Sequence, residues 1–448
     1  MTAAGAGIVS RLPANVLIAG GGLAGLASAA ALGQAGYSVD LLESRAFLGG
    51  RATSYTLPDS EVIDNCQHVL LRCCTNLLDF YNRLGVADAI EFHRRFYFIE
   101  PGGRVSELER GPWLPAPIHF TGSFLGLDFL SLTEKAAIGR ALAAMLFEHH
   151  TRTDLDRISM LDWLREKNQP ARAIARFWNQ VLVSAVNEEL DRMAASHGHQ
   201  VFRLSFLGSR EAYEMGIPSV PLGELYGEAA WAARVPDVRL HFRSPVERIA
   251  SEAGRPVVHA AGRRWTPDAV ICALPFERIN AVVPEAGLDF SSWQHSPITG
   301  IHLWFDRPVT ELPHATLLDR TVQWFFNKGG GRYLQIVVSA SRSLVELSRQ
   351  QVIDLVLAEL SEFLPGVRAA RLEKAHVVKE IRATFSAAPG LVRPPAATRL
   401  PGLVFAGDWI DTGWPATMEG AVRGGYLAAE AITRGFGEPQ TFLAPGQS

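Results

Sequence analysis

Continuous apolar runs, separated by glycine-rich turns, recur along this chain. Val16–Ala19 is one such run and Ser38–Leu42 contains another, a pattern typical of strands buried on both faces of a parallel sheet. The alanine-rich segment between them predicts a helix over Leu23–Gln34, which Gly36 ends. Comparable apolar runs return much later in the chain and predict further buried strands, within Val238–Phe242, Asp268–Pro275 and Gly402–Phe405.

The middle of the chain has a different pattern. Residues 70–210 have mostly helical periodicity and lack an alternation of strands with helices, which indicates an insertion rather than part of a parallel sheet. Ser131–Glu134 has the spacing of a capping box and predicts the start of one helix. The other elements predicted here are a hairpin over Phe96–Arg104 and the helices Leu77–Leu84, Ile158–Arg165 and Ala171–Glu188.

Residues 299–339 alternate between apolar and polar side chains and predict further sheet. Three aromatic residues of this sheet, Trp304, Trp324 and Phe326, are candidates to line a substrate cavity, although core packing is the commoner role of any single aromatic side chain. An amphipathic helix follows over Gln350–Phe363. This part of the chain is therefore expected to mix sheet and helix.

Three glycines after the first strand occupy the positions of a G-x-G-x-x-G motif: Gly20, Gly22 and Gly25. The first glycine allows a tight turn, the second lets a pyrophosphate approach the backbone, and the third lets the helix pack closely on the strand. Glu43 ends the second strand about 20 residues later, where a carboxylate can accept the hydroxyls of an adenosine ribose. A glycine-rich turn without a ligand is the alternative. The position of the motif between strand and helix, together with Glu43, predicts a site for FAD or NAD.

The composition, the net charge and the cysteines limit the kinds of ligand and partner that we expect. The 448 residues are 48% apolar and 20% charged, as in an ordinary globular chain of two or three sub-structures. The net charge of −3 gives no basic surplus, so nucleic acid is not an expected partner. The four cysteines have neither the pattern of a disulfide framework nor the spacing of a zinc site, which predicts reduced thiols and no metal.

Hydropathy predicts where the protein acts. Met1–Pro13 has no apolar core of signal-peptide length, and no window of about 18 uncharged apolar residues predicts a membrane-spanning helix. We therefore expect a cytoplasmic protein with at most peripheral contact to the inner membrane face. The run Trp113–Leu130 is rich in large apolar residues and almost free of charge. It suits a bilayer interface or the mouth of a lipid tunnel, and equally a buried loop over the core.

A glycine pair and an arginine follow Glu43. Gly49-Gly50-Arg51 at this place resembles the second signature of the FAD-dependent amine oxidase and phytoene desaturase superfamily. The glycines leave room beside a cofactor, and the forked guanidinium of Arg51 suits the paired oxygens of a pyrophosphate. An NAD dehydrogenase does not need this element, so the resemblance implies FAD. A plain surface arginine in a turn is the alternative interpretation.

Later motifs resemble the same superfamily. The resemblance implies that Val246 holds the adenine through its backbone and that Asp408 binds the ribityl hydroxyls. It also implies that a helix from about Thr417 points its N-terminus at the flavin. The cofactor-binding residues that the resemblance implies are Gly20, Gly22, Leu23, Ala24, Gly25, Glu43, Ser44, Arg45, Gly49, Gly50, Arg51, Val246, Gly407, Asp408, Ala416, Thr417 and Met418.

Two positions near the C-terminus differ from many members of the superfamily. Trp414 precedes Pro415 where covalently flavinylated amine oxidases have a cysteine or tyrosine, which disfavours that group. Arg423-Gly424 stands where many relatives have a Ser-Gly pair.

The resemblance extends from Val16 to about Arg434 and implies an α/β fold. A Rossmann-like FAD-binding domain of the amine oxidase and phytoene desaturase type is expected to carry an inserted α+β substrate domain. The expected FAD-binding domain is discontinuous, over residues 14–69, 218–285 and 397–436. The expected substrate-binding domain takes residues 70–217 and 286–396 and includes the helical part that could associate with a membrane.

A more specific resemblance is to the hydroxysqualene dehydroxylase branch. That branch reads Asp-Asn-Gly-Gln-His where this chain has Asp64–His68, with Cys66 in place of the glycine. Asn187, Pro218–Pro221 and Asp411–Gly413 also match the branch. The resemblance implies reductive removal of the hydroxyl of hydroxysqualene, with hydride passing from reduced flavin N5 to an allylic carbon. The product is squalene for hopanoid synthesis.

Such a reaction needs an acid that protonates the leaving hydroxyl, and the candidates are His68 and Asp411. A structural histidine is the alternative for His68. The hydrophobic isoprenoid substrate has to come from the bilayer, and the reductant of the flavin is left open. Three other functions also remain open: a carotenoid-type (phytoene) desaturase that uses the flavin oxidatively, an amine oxidase, and a flavin-free prenyl-lipid carrier.

Overall fold

The computed structural model of this chain describes residues 14–445, so the predicted absence of a signal peptide in Met1–Pro13 lies outside the described residues. The strands are β1 (Asn15–Ala19), β2 (Ser38–Leu42), β3 (Ser54–Thr56), β4 (Val62–Asp64), β5 (Leu70–Leu71), β6 (Ile90–His93), β7 (Phe96–Ile99), β8 (Val105–Leu108), β9 (Met215–Pro218), β10 (Val238–His241), β11 (Val246–Glu252), β12 (Arg255–Ala260), β13 (Arg263–Trp265), β14 (Ala269–Cys272), β15 (His295–Phe305), β16 (His314–Leu317), β17 (Trp324–Gly329), β18 (Tyr333–Ser339), β19 (Leu372–Phe385) and β20 (Leu403–Phe405). The α-helices are α1 (Leu23–Gln34), α2 (Thr75–Leu84), α3 (Thr121–Leu125), α4 (Leu132–Thr151), α5 (Met160–Glu166), α6 (Ala171–Ala173), α7 (Asn179–Val186), α8 (Ala195–Val201), α9 (Leu222–Leu225), α10 (Glu228–Arg234), α11 (Phe276–Val282), α12 (Arg349–Phe363), α13 (Pro365–Ala369) and α14 (Met418–Gly435).

Five parallel strands form one sheet, in the order β10-β2-β1-β14-β20. Val16 in the central strand pairs with Val39 on one side and with Ala269 on the other. The parallel sheet predicted from the buried apolar runs is therefore confirmed. Its strands come from all three of the segments that the sequence assigns to FAD binding.

Helices α1 and α14 pack against each other over this sheet. Small residues allow the close approach, since a Cβ on Gly425 would lie 2.3 Å from the carbonyl oxygen of Ala24. The Ser28 hydroxyl donates to the Gly425 carbonyl at 2.9 Å. Helix α1 has the bounds that the sequence predicts, and α14 begins one residue after the predicted start at Thr417.

The largest sheet has seven strands, in the order β19-β15-β18-β17-β16-β7-β8. One face is apolar and packs on α12, through residues such as Leu303, Ile336 and Val356. The hairpin predicted over Phe96–Arg104 is present as β7 and β8. It extends this sheet because Phe98 pairs with Thr316 of β16 in parallel register.

The helical part begins as the sequence predicts. The Ser131 hydroxyl accepts the Glu134 N–H at 3.3 Å, and the Glu134 carboxylate accepts the Ser131 N–H at 2.7 Å, so the capping box at the start of α4 is confirmed. The helix predicted over Ala171–Glu188 contains a π-helical segment, Ile174–Trp178, and ends at Val186.

Helix α2 lies in a segment expected to belong to the substrate domain, yet it packs on the nucleotide-binding side. Its buried face, with Leu77 and Phe80, belongs to the core that also holds α1 and α14. The Glu419 carboxylate of α14 accepts from the Asn76 side-chain amide at 2.7 Å and from the Leu77 N–H at 2.8 Å. These bonds satisfy the free N-terminus of α2, which fixes the helix to the cofactor side of the molecule.

Candidate functional site

The glycine-rich turn after β1 has the geometry that each of its three glycines was expected to provide. Gly20 has a φ of +110°, and a Cβ on Gly25 would lie 2.0 Å from the Gly20 carbonyl oxygen. A Cβ on Gly22, in contrast, would have the Gly50 Cα as its nearest neighbour in another segment, at 4.0 Å. The first and third glycines are therefore required by the chain itself, whereas the space above Gly22 is left free for a ligand.

Helix α1 offers backbone donors at this turn. The Leu26 N–H makes the first intrahelical bond, to the Gly22 carbonyl at 2.9 Å. The N–H groups of Leu23, Ala24 and Gly25 precede that bond and have no acceptor within the helix. Together with the positive end of the helix dipole, they form a site for the oxygens of a pyrophosphate.

Glu43 lies beside the same turn and is held in one orientation. One carboxylate oxygen accepts the Gly21 N–H at 2.8 Å, and the other accepts the Ser44 hydroxyl at 3.0 Å and the Arg45 N–H at 2.7 Å. The Glu43 carbonyl accepts the Ser244 N–H at 2.8 Å, which brings the start of β11 at Val246 to this end of the site. Ser44 and Arg45 thus position the carboxylate expected to bind the ribose, and the contact of Val246 with the adenine stays a prediction.

Gly49, Gly50 and Arg51 form the second wall. Gly49 and Gly50 both have positive φ, and a Cβ on Gly50 would lie 3.0 Å from the Gly22 Cα, so the two glycine-rich turns meet. The Arg51 side chain was expected to reach a pyrophosphate. Its guanidinium donates to both carboxylate oxygens of Asp408 at 2.9 Å and to the Ala383 carbonyl at 2.7 Å. Although Arg51 lies deep within the protein, 41% of its side chain is accessible, so it lines an internal cleft.

The C-terminal motif closes this cleft. Gly407, with a φ of +149°, turns the chain after β20 and places Asp408 beside Arg51. Thr417 caps α14, since its hydroxyl accepts the Gly420 N–H at 3.0 Å, and the helix begins at Met418 after the buried Ala416. The start of a second long helix is therefore added to the walls of the site, as expected for binding the electron-rich edge of a flavin.

The segment Asn65–His68 runs along Arg51. The Asn65 amide donates to the Arg51 carbonyl at 3.0 Å and to the Glu380 carboxylate at 3.3 Å. Cys66 stands where the hydroxysqualene dehydroxylase pattern that this segment resembles has a glycine. Cys66 does not have a positive φ, so its backbone is not one that requires glycine. Gly300 of β15 leaves room for the Cys66 thiol, because a Cβ on residue 300 would lie 3.2 Å from the Cys66 Sγ. The replacement is therefore accommodated by a glycine on the facing strand.

His68 has a defined protonation pattern. Its Nδ1 lies 2.8 Å from the Cys66 carbonyl oxygen, and because a carbonyl only accepts, Nδ1 carries the hydrogen. Burial lowers the pKa of His68 below its usual value, against the opposing influence of the nearby Asp64 carboxylate. At neutral pH the ring is uncharged and Nε2 carries a lone pair. In this form His68 can accept a proton at Nε2, and the role of acid that the resemblance implies stays a prediction.

Asp411 lies in the loop between β20 and α14. Its side chain is 68% exposed, and its ion pair among the described residues is with Arg393 at 3.9 Å. It borders a separate cavity of about 250 Å³ that is also lined by His197 and Phe385. An exposed carboxylate is a poor acid for a dry cavity, so the geometry gives no support to a catalytic role for Asp411.

Aromatic rings form a continuous path across the substrate side. Trp324 and Phe326 stack on β17 with ring centres 5.8 Å apart, and Phe96 lies 6.3 Å from Trp324. Tyr213 continues the path at 6.0 Å from Phe96 and 4.5 Å from Phe120. Phe120 belongs to the segment Trp113–Leu130, so the path joins that segment to the seven-stranded sheet.

Trp304 does not share this path. Its ring stacks on Tyr333 at 4.6 Å, and its indole N–H donates to the Glu61 carboxylate at 2.6 Å. Its neighbour on the ring face is the ammonium of Lys374, 4.4 Å from the ring centre. A cation and a carboxylate therefore hold the Trp304 ring, and its expected place in the lining of a substrate cavity stays a prediction.

The segment Trp113–Leu130 is partly exposed and partly core. Trp113 is 89% exposed and Ile118 and Leu125 are also exposed, whereas Leu127 and Phe129 are fully buried. The run therefore joins exposed apolar side chains to buried ones, and its contact with a bilayer stays a prediction. Within residues 14–445, no helix combines the length and the apolar character that crossing a membrane requires.

Comparison with known proteins decides the family. The family described as flavin containing amine oxidoreductase matches residues 23–433. The chain belongs to this family. Its site accordingly holds FAD, and the free space above Gly22, the N-terminus of α1 and the Glu43 carboxylate fit that cofactor.

Similar proteins of this flavin-containing family include carotenoid desaturases. A 15-cis-phytoene desaturase of an Oncidium hybrid is 26% identical over 95% of this chain and 79% of that protein. The 15-cis-phytoene desaturase of Synechococcus elongatus is 26% identical over 93% of this chain and 95% of that protein. A probable zeta-carotene desaturase of the same organism is 26% identical over 93% of this chain and 98% of that protein. All three of these relatives are named as carotenoid desaturases.

Solved structures share the fold. An oxidoreductase from Methanosarcina mazei has a TM-score of 0.72 at 18% identity, covering 94% of this chain and all of that one. Putrescine oxidase bound to putrescine has a TM-score of 0.69 at 18% identity, covering 94% of this chain and 99% of that one. These structures show the fold that the sequence predicts, and the family match makes the protein an FAD-dependent oxidoreductase.

Sequence reasoning missed some members of this site. Glu380 contacts Asn65, and the Ala383 carbonyl contacts Arg51, both from β19 more than 300 residues away in the chain. Gly300 faces Cys66 from the neighbouring strand β15. No local motif marks these residues, because their roles come from the approach of the large sheet to the cofactor segments.

Proposed function

We propose that this protein desaturates a long isoprenoid hydrocarbon of the carotenoid type, using FAD. The phytoene and zeta-carotene desaturases that resemble it align along nearly the whole chain. The observation that carries the proposal is the neutral ring of His68, whose Nε2 is a proton acceptor. Forming a C=C bond from two adjacent C–H groups removes a hydride and a proton, so the site needs such an acceptor.

In this reaction the hydride passes to the cofactor, and the residues of the site handle the proton. Bound FAD supplies the acceptor for the hydride. His68 Nε2 takes the proton from the adjacent carbon, while its Nδ1–H stays on the Cys66 carbonyl and holds the ring in place. The imidazolium that forms is stabilised by the nearby carboxylates of Asp64 and Glu380.

The aromatic path supports an apolar substrate. It runs from Trp324 and Phe326 through Phe96 and Tyr213 to Phe120 without a charged side chain among its members. Polyene chains pack well on aromatic faces, and a charged amine would lose its hydration there without a carboxylate to replace it. We infer that the hydrocarbon follows this path towards the cofactor.

The entrance of this path supports contact with a membrane. Trp113, Ile118 and Leu125 expose large apolar side chains on the segment that leads to Phe120. Such a patch suits the interface of a bilayer, where an isoprenoid hydrocarbon is dissolved. We propose that the protein attaches reversibly to the cytoplasmic membrane surface through this segment and takes its substrate from there.

Reductive dehydroxylation of hydroxysqualene is the second candidate. It is supported by the residue matches at Asp64–His68, Asn187 and Pro218–Pro221. Asn187 is buried in a network that joins β15, β18 and β19, with bonds to the Ser296 carbonyl, the Thr384 hydroxyl and the Ala340 N–H. In this direction His68 has to be protonated to act as the acid for the leaving hydroxyl.

An anaerobic experiment separates the two candidates. Oxidised holoprotein is mixed with phytoene in detergent, and reduced holoprotein is mixed with hydroxysqualene, while flavin absorbance and lipid products are followed. Bleaching of the oxidised flavin with formation of a new double bond supports desaturation. Recovery of the oxidised absorbance with formation of squalene, and no reaction of phytoene, overturns it in favour of dehydroxylation.

A further inference from the structure

The loop Gly407–Trp414, which carries Asp408, is held by two arginines from other parts of the fold. It follows β20 and precedes α14, and it contains no regular element. Its orientation decides where the Asp408 carboxylate points. Both arginines donate hydrogen bonds to its backbone carbonyls, and Arg393 also lies 3.9 Å from the Asp411 carboxylate, so they fix the path of the loop itself.

Arg393 connects the two ends of this loop. Its guanidinium donates to the Asp408 carbonyl at 3.3 Å and to the Trp414 carbonyl. Only 10% of the side chain is exposed, and the nearest carboxylate, of Asp411, is 3.9 Å away. Burial lowers the pKa of Arg393 from its ordinary value, which marks an arginine whose main partners are carbonyl dipoles instead of a close anion.

Arg423 holds the middle of the loop. It lies on α14, and its Nε donates to the Thr412 carbonyl at 3.0 Å. The following residue, Gly424, lets the helix approach the loop, since a Cβ there would lie 2.2 Å from the Gly407 carbonyl oxygen. Arg423 therefore binds the loop, and Gly424 leaves the space that the loop needs beside α14.

We propose that Arg393 and Arg423 are positioning residues that fix the Gly407–Trp414 loop and thereby set the affinity for FAD. The carboxylate of Asp408 binds the cofactor only when the loop keeps this path. Without the arginines, three carbonyls lose charged donors and the loop gains conformational freedom, which FAD binding then has to remove. The proposal concerns cofactor retention and does not depend on the identity of the substrate.

The test uses FAD-loaded protein and the variants Arg393→Ala, Arg423→Ala and Arg423→Lys. Release of FAD after dilution is followed by the rise in flavin fluorescence, and thermal unfolding is measured both at saturating FAD and without FAD. We expect release to be about tenfold faster for Arg423→Ala, as for loss of one charge-assisted hydrogen bond, and faster still for Arg393→Ala. Arg423→Lys, which keeps one charged donor, should restore much of the retention.

Arg434→Ala is the matched control, because Arg434 is an exposed residue of the same helix. It should release FAD at the rate of the unaltered protein. Unchanged release in Arg393→Ala and Arg423→Ala would overturn the proposal. So would faster release that is accompanied by a fall in the unfolding temperature of the FAD-free protein and is not reversed by Arg423→Lys, since both would indicate a general loss of stability.

Discussion

The guanidinium of Arg51 donates hydrogen bonds at 2.9 Å to both carboxylate oxygens of Asp408, a residue 357 positions later in the chain. This pair joins the segment after β2 to the loop after β20 across the cofactor cleft. Of the two side chains, Arg51 is the more open, with 41% accessible against 9% for Asp408. One ion pair thus sets the spacing of two cofactor-binding segments.

Replacing Arg51 should weaken FAD retention. In Arg51→Ala the buried Asp408 carboxylate loses its partner, and the positive charge of the cleft is lost as well. We expect FAD release to be faster by about tenfold or more, with an intermediate rate for Arg51→Lys, whose ammonium cannot form the forked contact. Flavin content after gel filtration and the fluorescence of released FAD are the measurements. A normal flavin content in Arg51→Ala would contradict the role assigned to this pair.

Two glycines of the first turn should respond differently to alanine. A Cβ on Gly22 would be 4.0 Å from its nearest neighbour in another segment, the Gly50 Cα, so Gly22→Ala should fold normally and lose FAD affinity by about tenfold or more. A Cβ on Gly25 would lie 2.0 Å from the Gly20 carbonyl oxygen, so Gly25→Ala should lower the stability of the fold itself, by about 1–3 kcal/mol. Thermal unfolding with and without added FAD separates the two effects. Equal destabilisation of both variants would show that the space above Gly22 is structural.

Local sequence signals predicted those elements whose defining residues lie close together in the chain. Helix α1 has the predicted bounds because an alanine-rich apolar segment stands between a glycine turn and Gly36. The capping box at Ser131 was predictable because both of its partners lie within four residues. The roles of Gly20 and Gly25 followed from the spacing of the motif, and the structure confirms them by the contacts that a Cβ would make.

Long-range contacts could not be predicted in the same way. The Arg51 side chain binds the Ala383 carbonyl, 332 residues away, and nothing near either residue signals the contact. Gly300 compensates for Cys66 only because β15 crosses that segment. The protonation pattern of His68 also depends on the folded backbone, since the Cys66 carbonyl selects which ring nitrogen carries the hydrogen.

The proposed role of His68 predicts a specific pH dependence. Burial lowers its pKa from 6.5, so the neutral, proton-accepting form dominates above the lowered pKa and is lost as the pH falls through it. The rate of flavin bleaching by a polyene should therefore be flat near neutral pH and fall by about tenfold per pH unit in the acidic range. His68→Ala should lower this rate by about 10²–10⁴ and remove the acidic limb. Stopped-flow absorbance under anaerobic conditions measures both.

The opposite pH profile would indicate whether the flavin is used oxidatively, for desaturation, or reductively, for dehydroxylation. If the rate rises as the pH falls through the pKa of His68, the protonated ring is the active form, as dehydroxylation of hydroxysqualene requires. His68→Gln is a useful control, because an amide can donate to the Cys66 carbonyl but cannot exchange a proton. A variant with normal rate and normal pH profile would remove His68 from the mechanism.

The exposed apolar segment predicts binding to lipid vesicles. Trp113 is 89% exposed and Ile118 is also exposed, so Trp113→Ser with Ile118→Ser should weaken binding by about tenfold or more, given about 1.5–3 kcal/mol for burying one large apolar side chain. Co-sedimentation with neutral phospholipid vesicles measures the effect. Val392→Ser is the matched control, because Val392 is 85% exposed but lies beside the separate cavity that Asp411 borders. The double variant should still react with substrate dispersed in detergent, since the cofactor residues are untouched. Equal loss of binding in the control and the double variant would show that vesicle binding does not depend on the Trp113–Leu130 segment.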